Sequence, residues 1–223
     1  MNYLRFAWPI LLIISLGCEK KTKNLTAGFY HWKSISQNSE DQINYLDKLH
    51  IDHLHYRFFD LTLEGGTINP VGEAKIDTKL LKKRSFSSCI FITNACFLKL
   101  NKQDTEDLAE KVLTKLTDRI QKLDLESSWK EIQIDCDWTE NSKATYFHFL
   151  EQLKAKMPEH ISLSATIRLH QIRYASRTGT PPVDKGALMC YNMGDIKDVQ
   201  EENSIFNSEI LESYLPADIE YGL

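Results

Sequence analysis

Apolar and polar positions follow two different periods along the chain, and the two periods alternate. Six short segments rich in aromatic and β-branched residues predict strands, and they cover residues 27–33, 51–63, 88–97, 129–139, 161–174 and 185–194. A seventh strand is predicted to begin at 218–221. Between most of these segments apolar residues recur every three or four positions, which predicts amphipathic helices capped by Ser39, Asp104 and Ser142.

This strand–helix alternation predicts an α/β fold with a parallel sheet covered by helices. Two architectures satisfy it, an open doubly wound sheet and a (β/α)8 barrel. Neither GxGxxG nor GxxxxGK(S/T) occurs in the sequence, which argues against the nucleotide-binding open sheets but not against open sheets in general. The periodicity alone therefore leaves both architectures open.

The N-terminus has the pattern of a secretion signal. Residues 6–16 form an apolar run that is too short to span a membrane, and the run ends at Cys18, which Glu19 and Lys20 follow. This ending resembles the lipobox of bacterial lipoproteins. It implies a signal peptide at 1–17, acylation of Cys18, a tether over 18–26, a folded domain at 27–223, and an envelope protein attached to the membrane by its lipid. An ordinary cleaved signal with a chance cysteine is the alternative.

Composition and charge exclude several classes of function. The chain carries 27 basic and 31 acidic residues, a net charge of −4, and has no dense basic stripe, so we expect no nucleic-acid partner.

Five cysteines occur without a CxxC pair, and the four after Cys18 lie in or beside apolar runs. We expect these four in the core, with disulfide pairing as the alternative. His53 and His55 form an HxH pair early in a strand, and we expect neither a metal nor a cofactor there.

In either architecture ligands bind at the carboxyl ends of the strands. The segment 129–139 has the clearest chemistry, because alternation places Asp135 and Asp137 on one face and Cys136 and Trp138 on the other. Two carboxylates at this spacing raise the pKa of at least one of them and are suited to acid–base catalysis. A structural pair, bridged by Arg168 or Arg57, is the alternative. Further polar residues expected at strand ends, as substrate-binding candidates, are Asp60, Asn94, Arg168, His170, Tyr191 and Asn192.

Two of these segments resemble a known family. QIDCDWTE, at 133–140, resembles the DxxDxDxE signature of family-18 chitinase-like barrels, and MCYN, at 189–192, resembles their MxYD. The run from 133 to 195 more closely resembles an uncharacterised family of bacterial envelope lipoproteins, a domain of unknown function with a glycoside-hydrolase-like barrel. The resemblance implies a TIM-barrel-like fold and a glycan or small molecule as ligand.

The resemblance also assigns roles, with departures. Asp135 and Asp137 match the second and third acidic positions, and the third position assists attack by the substrate's N-acetyl group. Thr139 stands where the acid Glu is expected, and Glu140, one residue later, is the remaining candidate for that role. Ile132 and Asn192 also replace expected Asp residues. Two functions remain open: glycan hydrolysis through Asp135, Asp137 and Glu140, or a non-catalytic barrel with a binding or structural role.

The length of the chain bears on the barrel. A complete (β/α)8 barrel typically has about 250 residues, and this chain has 223, including the predicted signal. We therefore expect about six to seven strands and a barrel that is incomplete at the C-terminus, as in a shortened family member.

Overall fold

The computed structural model describes residues 26–195, 197, 200 and 203–215. Seven strands lie in one sheet: β1 Gly28–His31, β2 His53–Glu64, β3 Thr67–Val71, β4 Ser85–Ile92, β5 Trp129–Asp135, β6 Ser162–Arg168 and β7 Lys185–Met189. The α-helices are α1 Glu40–Lys48, α2 Thr78–Leu81, α3 Lys102–Lys122, α4 Lys143–Lys156, α5 Leu169–Arg173, α6 Ala175–Thr178 and α7 Ser208–Tyr214. A single 3₁₀ turn, Asn94–Phe97, follows β4.

Six strands pair in the order β1-β2-β4-β5-β6-β7, and every neighbouring pair on this path is parallel. The sheet curls into a half-barrel, which confirms the predicted α/β fold and the incomplete barrel. The strand predicted at 218–221 lies outside the described residues, and so do the predicted signal peptide and Cys18.

The strand β3 was not predicted. It pairs antiparallel with β2 through a tight hairpin at Gly65 and Gly66, whose φ angles of 58° and 84° lie in the left-handed region that glycine adopts without steric cost. Pro70 fits in β3, because a strand at the sheet edge does not need every N–H for pairing. The hairpin therefore extends β2 without interrupting the parallel order.

Helices cover the convex face of the sheet. The core there is aromatic, with Phe58, Phe97, Tyr146 and Phe149 essentially inaccessible to solvent. The predicted cap of α3 was wrong by one turn: Asn101 caps it, and its side chain accepts a hydrogen bond from the Asp104 N–H at 2.9 Å. The helix therefore begins before its apolar periodicity does, because a cap depends on one side-chain bond rather than on a repeating pattern.

Three of the four cysteines in the domain, Cys89, Cys96 and Cys136, are buried free thiols, as expected. Cys190 is also free but only half-buried. Across the ranges given above, the longest helices lack the apolar stretch that crossing a bilayer requires.

Candidate functional site at the strand ends

The polar face of β5 points into the concave side of the half-barrel. Asp135 lies in a polar layer and accepts a hydrogen bond from the Thr166 hydroxyl of β6 at 2.6 Å. Trp138 points the other way, where it stacks on Tyr146 of α4 with ring centroids 5.4 Å apart. Within β5, Ile132 and Ile134 lie in the hydrophobic core on the other face, so the predicted alternation is present up to Asp135, the last residue of the strand.

Arg168, the last residue of β6, connects the polar groups at this edge. Its Nε donates to Asp137, and its Nη1 donates to the Tyr191 hydroxyl at 3.2 Å. Its Nη2 lies 3.8 Å from the carboxylate of Asp135. Burial favours the neutral form of Arg168, but the hydrogen bonds to Asp137 and Tyr191 outweigh it and raise the pKa. We call Asp135, Asp137, Arg168 and Tyr191 the strand-end cluster.

A bulge in β2 explains why Arg57 does not join the strand-end cluster. The register with β4 shifts between Arg57 and Phe59, so Arg57 and Asp60, three residues apart, face the same side. They form a two-pronged ion pair, with nitrogen–oxygen distances of 2.9 and 2.5 Å. Of the two arginines considered as partners for Asp135 and Asp137, Arg168 is therefore the one that contacts them. Asp60, a predicted substrate-binding residue, is already paired with Arg57.

Burial is the main influence on the pKa of Asp135. Desolvation raises its pKa, hydrogen bonding from Thr166 and the charge of Arg168 oppose the rise, and the neighbouring Asp137 adds to it. The predicted rise at one of the two carboxylates is therefore present, but burial rather than charge repulsion is its largest cause. Asp137 itself is exposed.

The remaining predicted residues divide into two groups. Asn94 and Glu140 lie away from the strand-end cluster's contacts: the Asn94 side-chain oxygen accepts a hydrogen bond from Ser142 at 2.5 Å, and Glu140 lies in an exposed turn. The strand β5 ends at Asp135, so strand alternation does not determine where Glu140 points. His170 and Asn192, by contrast, line a cleft of about 210 Å³ together with Arg168 and Tyr191.

That cleft also contains residues that the sequence did not indicate. Ile210 and Tyr214 of α7 close one side of it, and Met189, the last residue of β7, lines it together with Met193. An apolar residue on a surface helix carries no local sign of lying near a polar cluster. Only the packing of α7 near α5 brings it there.

The predicted histidine pair lies at the opposite end of the sheet. His53 and His55 are at the start of β2, far in sequence from its carboxyl end. Within the part of the chain that the structure describes, no three side chains among His, Cys, Asp and Glu are grouped so as to hold a metal ion.

We expect Asp135→Asn to stabilise the domain at pH 7. The folded pKa of Asp135 is raised, so its contribution to stability is present below the unfolded pKa and is lost as the pH rises through the folded pKa. Asparagine removes the buried charge and still accepts from Thr166, for a gain of about 0.5–2 kcal/mol in the free energy of unfolding. Urea denaturation at pH 4 and pH 7 measures it, and an equal or larger gain at pH 4 would contradict this explanation.

Comparison with known proteins shows which solved structures have a similar fold. No family model and no curated protein matches the sequence. Among solved structures, the spore cortex-lytic enzyme SleL of Bacillus cereus aligns with a TM-score of 0.54 at 16% identity, covering 86% of this chain and 48% of that chain. The chitinase domain of the spore coat protein CotE from Clostridium difficile aligns with a TM-score of 0.54 at 13% identity, covering 92% and 65%.

A chitinase from Bacteroides thetaiotaomicron aligns with a TM-score of 0.51 at 9% identity, covering 83% of this chain and 60% of that chain. The chain thus spans between about half and two thirds of the length of these structures. At such low identities the likeness concerns the fold alone. The fold of the described residues is therefore similar to part of these cortex-lytic enzyme and chitinase structures.

Proposed function

We propose that this protein binds a glycan at the carboxyl ends of β5, β6 and β7. One observation carries the proposal: Arg168 links Asp137 and Tyr191 beside an open cleft, with Asp135 buried behind them. The structural neighbours that are chitinases, or a spore cortex-lytic enzyme, support a glycan as the ligand class.

The chemistry of the strand-end cluster suits sugar hydroxyls. A hydroxyl group both donates and accepts, and the cluster offers carboxylate acceptors next to guanidinium donors. Tyr191 is 48% exposed, and its ring packs near the Arg168 guanidinium, 6.0 Å from the ring centroid. An exposed aromatic ring presents a flat apolar surface that suits the C–H face of a pyranose. A small number of placed polar groups beside apolar surface is the usual composition of a ligand site.

Binding is favoured over hydrolysis by the position of the acidic groups. Glycoside hydrolysis canonically needs one carboxyl group as a proton donor and a second as nucleophile or base. Asp137 is already paired with Arg168, and Thr139 stands where the resemblance places the acid. Glu140 is exposed in a turn. A site of this composition holds a sugar without a placed proton donor at that position.

The proposal is tested with triacetylchitotriose as the probe. We expect isothermal titration calorimetry on the folded domain to show saturable binding, and the melting temperature to rise with probe concentration. We also expect chromatography of the incubated probe to show no shorter products. Absence of both heat and a melting shift with this probe and with soluble peptidoglycan fragments would contradict glycan binding.

Hydrolysis is the second candidate, and the raised pKa of Asp135 favours it, because a carboxyl group is a better general acid when its pKa lies closer to the working pH. If hydrolysis occurs, Asp137→Asn is expected to abolish product release while changing the probe's affinity by less than about threefold, under 1 kcal/mol. If the protein binds the probe without cleaving it, neither the wild type nor Asp137→Asn releases product. Retained product release in the variant would exclude a catalytic role for Asp137.

We also propose that the protein is a lipid-anchored envelope protein, from the lipobox-like sequence ending at Cys18. In bacteria producing the full chain, we expect labelled palmitate to be incorporated into the wild type and not into Cys18→Ser. Cys89→Ser is the matched control, since that thiol lies buried in the domain. Equal label in the wild type and in Cys18→Ser would contradict the anchor.

A further inference from the structure

The amino ends of the strands hold a second polar cavity. It has a volume of about 440 Å³, and we call it the amino-end basin; its polar lining includes His53, His55, Glu131, Gln133, Ser164 and Lys185. Closed (β/α)8 barrels fill this part of their interior with layers of bulky branched residues. Here the concave face carries hydrogen-bonding side chains instead, so packing alone does not explain its composition.

The basin is built around a buried carboxylate. The Glu131 side chain is 6% exposed, and it accepts hydrogen bonds from the Ser164 hydroxyl at 2.7 Å and from the Lys185 ammonium at 3.0 Å. Gln133 donates to Ser164 at 3.2 Å and extends the network along β5. Burial opposes ionisation of Glu131, but these bonds outweigh it and lower the pKa. The floor of the basin is therefore a fixed array of donors and acceptors.

His53 is hydrogen-bonded at both ring nitrogens. Its Nδ1 lies 2.9 Å from the Ser85 hydroxyl, and its Nε2 lies 2.7 Å from the Ser87 hydroxyl. Ser85 also donates to the Asp52 carbonyl at 2.9 Å, and Ser87 also forms a hydrogen bond with Glu131. Burial lowers the pKa of His53. Two serines therefore hold the His53 ring in place.

His55 has hydrogen-bonding capacity left over. Its Nδ1 is buried and makes no hydrogen bond among the described residues, and its ring stacks on Tyr30 at 4.4 Å. Burial and the nearby His53 lower its pKa to about 4, so the ring is neutral. Tyr30 also forms a hydrogen bond with Gln133, which bridges β1 and β5 across the concave face. Gln133 itself lines the basin.

The charges of the basin select against anions. Lys185 and Glu131 neutralise each other, and burial disfavours the charged form of both imidazoles. Asp52 at the rim adds one exposed negative charge. Lys185 has a third ammonium proton beyond its bonds to Glu131 and Ser162. The groups available to a ligand are thus mixed donors and acceptors with no excess of positive charge, which matches hydroxyl groups.

We propose that the amino-end basin is a second ligand site, separate from the strand-end cluster, for a neutral polyhydroxylated molecule the size of a mono- or disaccharide. The proposal stands on different residues from the proposed function and does not depend on it. The volume of the amino-end basin falls within the range of small-molecule pockets, about 300–1,000 Å³.

The test uses cellobiose as the probe and the imidazole NMR signals of His53 and His55 as the readout. We expect these signals to shift saturably in the wild type. Lys185→Met should weaken binding about tenfold, which is the loss of about 1.4 kcal/mol. Lys154→Met is the control, because it also removes a lysine from an ion pair with an aspartate or glutamate, here Asp184, but outside the basin. Ala187→Phe, on β7 at the basin wall, should abolish the shifts by filling the space.

Melting curves of both variants establish that they fold, and Lys185→Met keeps the test valid if Ala187→Phe does not. Absence of cellobiose shifts in the wild type overturns the proposal. So do equal affinities for Lys185→Met and Lys154→Met, or displacement of cellobiose by inorganic phosphate, which would reveal an anion site. Loss of the histidine shifts in Arg168→Gln would assign the effect to the strand-end cluster and also overturn a separate site.

Discussion

Replacing Trp138 with alanine is expected to lower the free energy of unfolding by about 3–5 kcal/mol, the usual cost of truncating a large buried aromatic residue. Trp138 is 1% exposed and packs against Tyr146 and Phe147 of α4. Its indole N–H donates to the Thr178 carbonyl at 3.0 Å, so the variant also leaves that acceptor without its partner. The loss combines a cavity with a broken link between the segment that follows β5 and the last residue of α6.

Urea denaturation followed by fluorescence and circular dichroism measures this effect. Trp32→Ala is the matched control, because Trp32 is 41% exposed and stacks only on the similarly exposed Tyr30 among the ring contacts of the described residues. We expect the control to change stability by no more than about 0.5 kcal/mol. Equal losses in the two variants would show that Trp138 is not part of the cooperative core.

Replacing Arg168 with glutamine is expected to weaken triacetylchitotriose binding by about 10–100-fold, the equivalent of losing one hydrogen bond to a charged group at 1.5–3 kcal/mol. The guanidinium orients Asp137 and Tyr191 together, and glutamine is too short and uncharged to contact both. Without it, Asp135 also loses the nearest charge that offsets its burial. The prediction rests on the proposed function.

Calorimetry on the wild type and on Arg168→Gln tests this prediction, and melting curves establish that both proteins fold. Arg177→Gln is the matched control: Arg177 is an exposed arginine that also packs over a tyrosine ring, that of Tyr174, at 4.8 Å. We expect it to leave the affinity within twofold, about 0.4 kcal/mol. Unchanged affinity in Arg168→Gln would remove the strand-end cluster from the proposed binding site.

Local patterns predicted the parts of this protein that local geometry controls. The period of two along 129–139 predicted that Gln133 and Asp135 would face away from Ile132 and Ile134, and within β5 they do, because side-chain alternation is a property of any extended backbone. The strand–helix order likewise predicted the parallel sheet, since crossover connections leave few other arrangements. The cap of α3 and the hairpin strand β3 escaped prediction, because each depends on a few individual contacts.

The candidate site was predictable only in outline. The sequence by itself determined that carboxylates, an arginine and a tyrosine stand at the ends of successive strands, since strand period and parallel order suffice for that. The tertiary structure decided which groups meet: Arg168 reaches Asp137 across 31 positions, while the β2 bulge turns Arg57 to Asp60 instead. It also decided that burial, more than the neighbouring charges, sets the direction of the pKa shift of Asp135. Pairing between strands depends on register, curl and bulges, which no single segment encodes, and so the contacts of the site exist only in the assembled sheet.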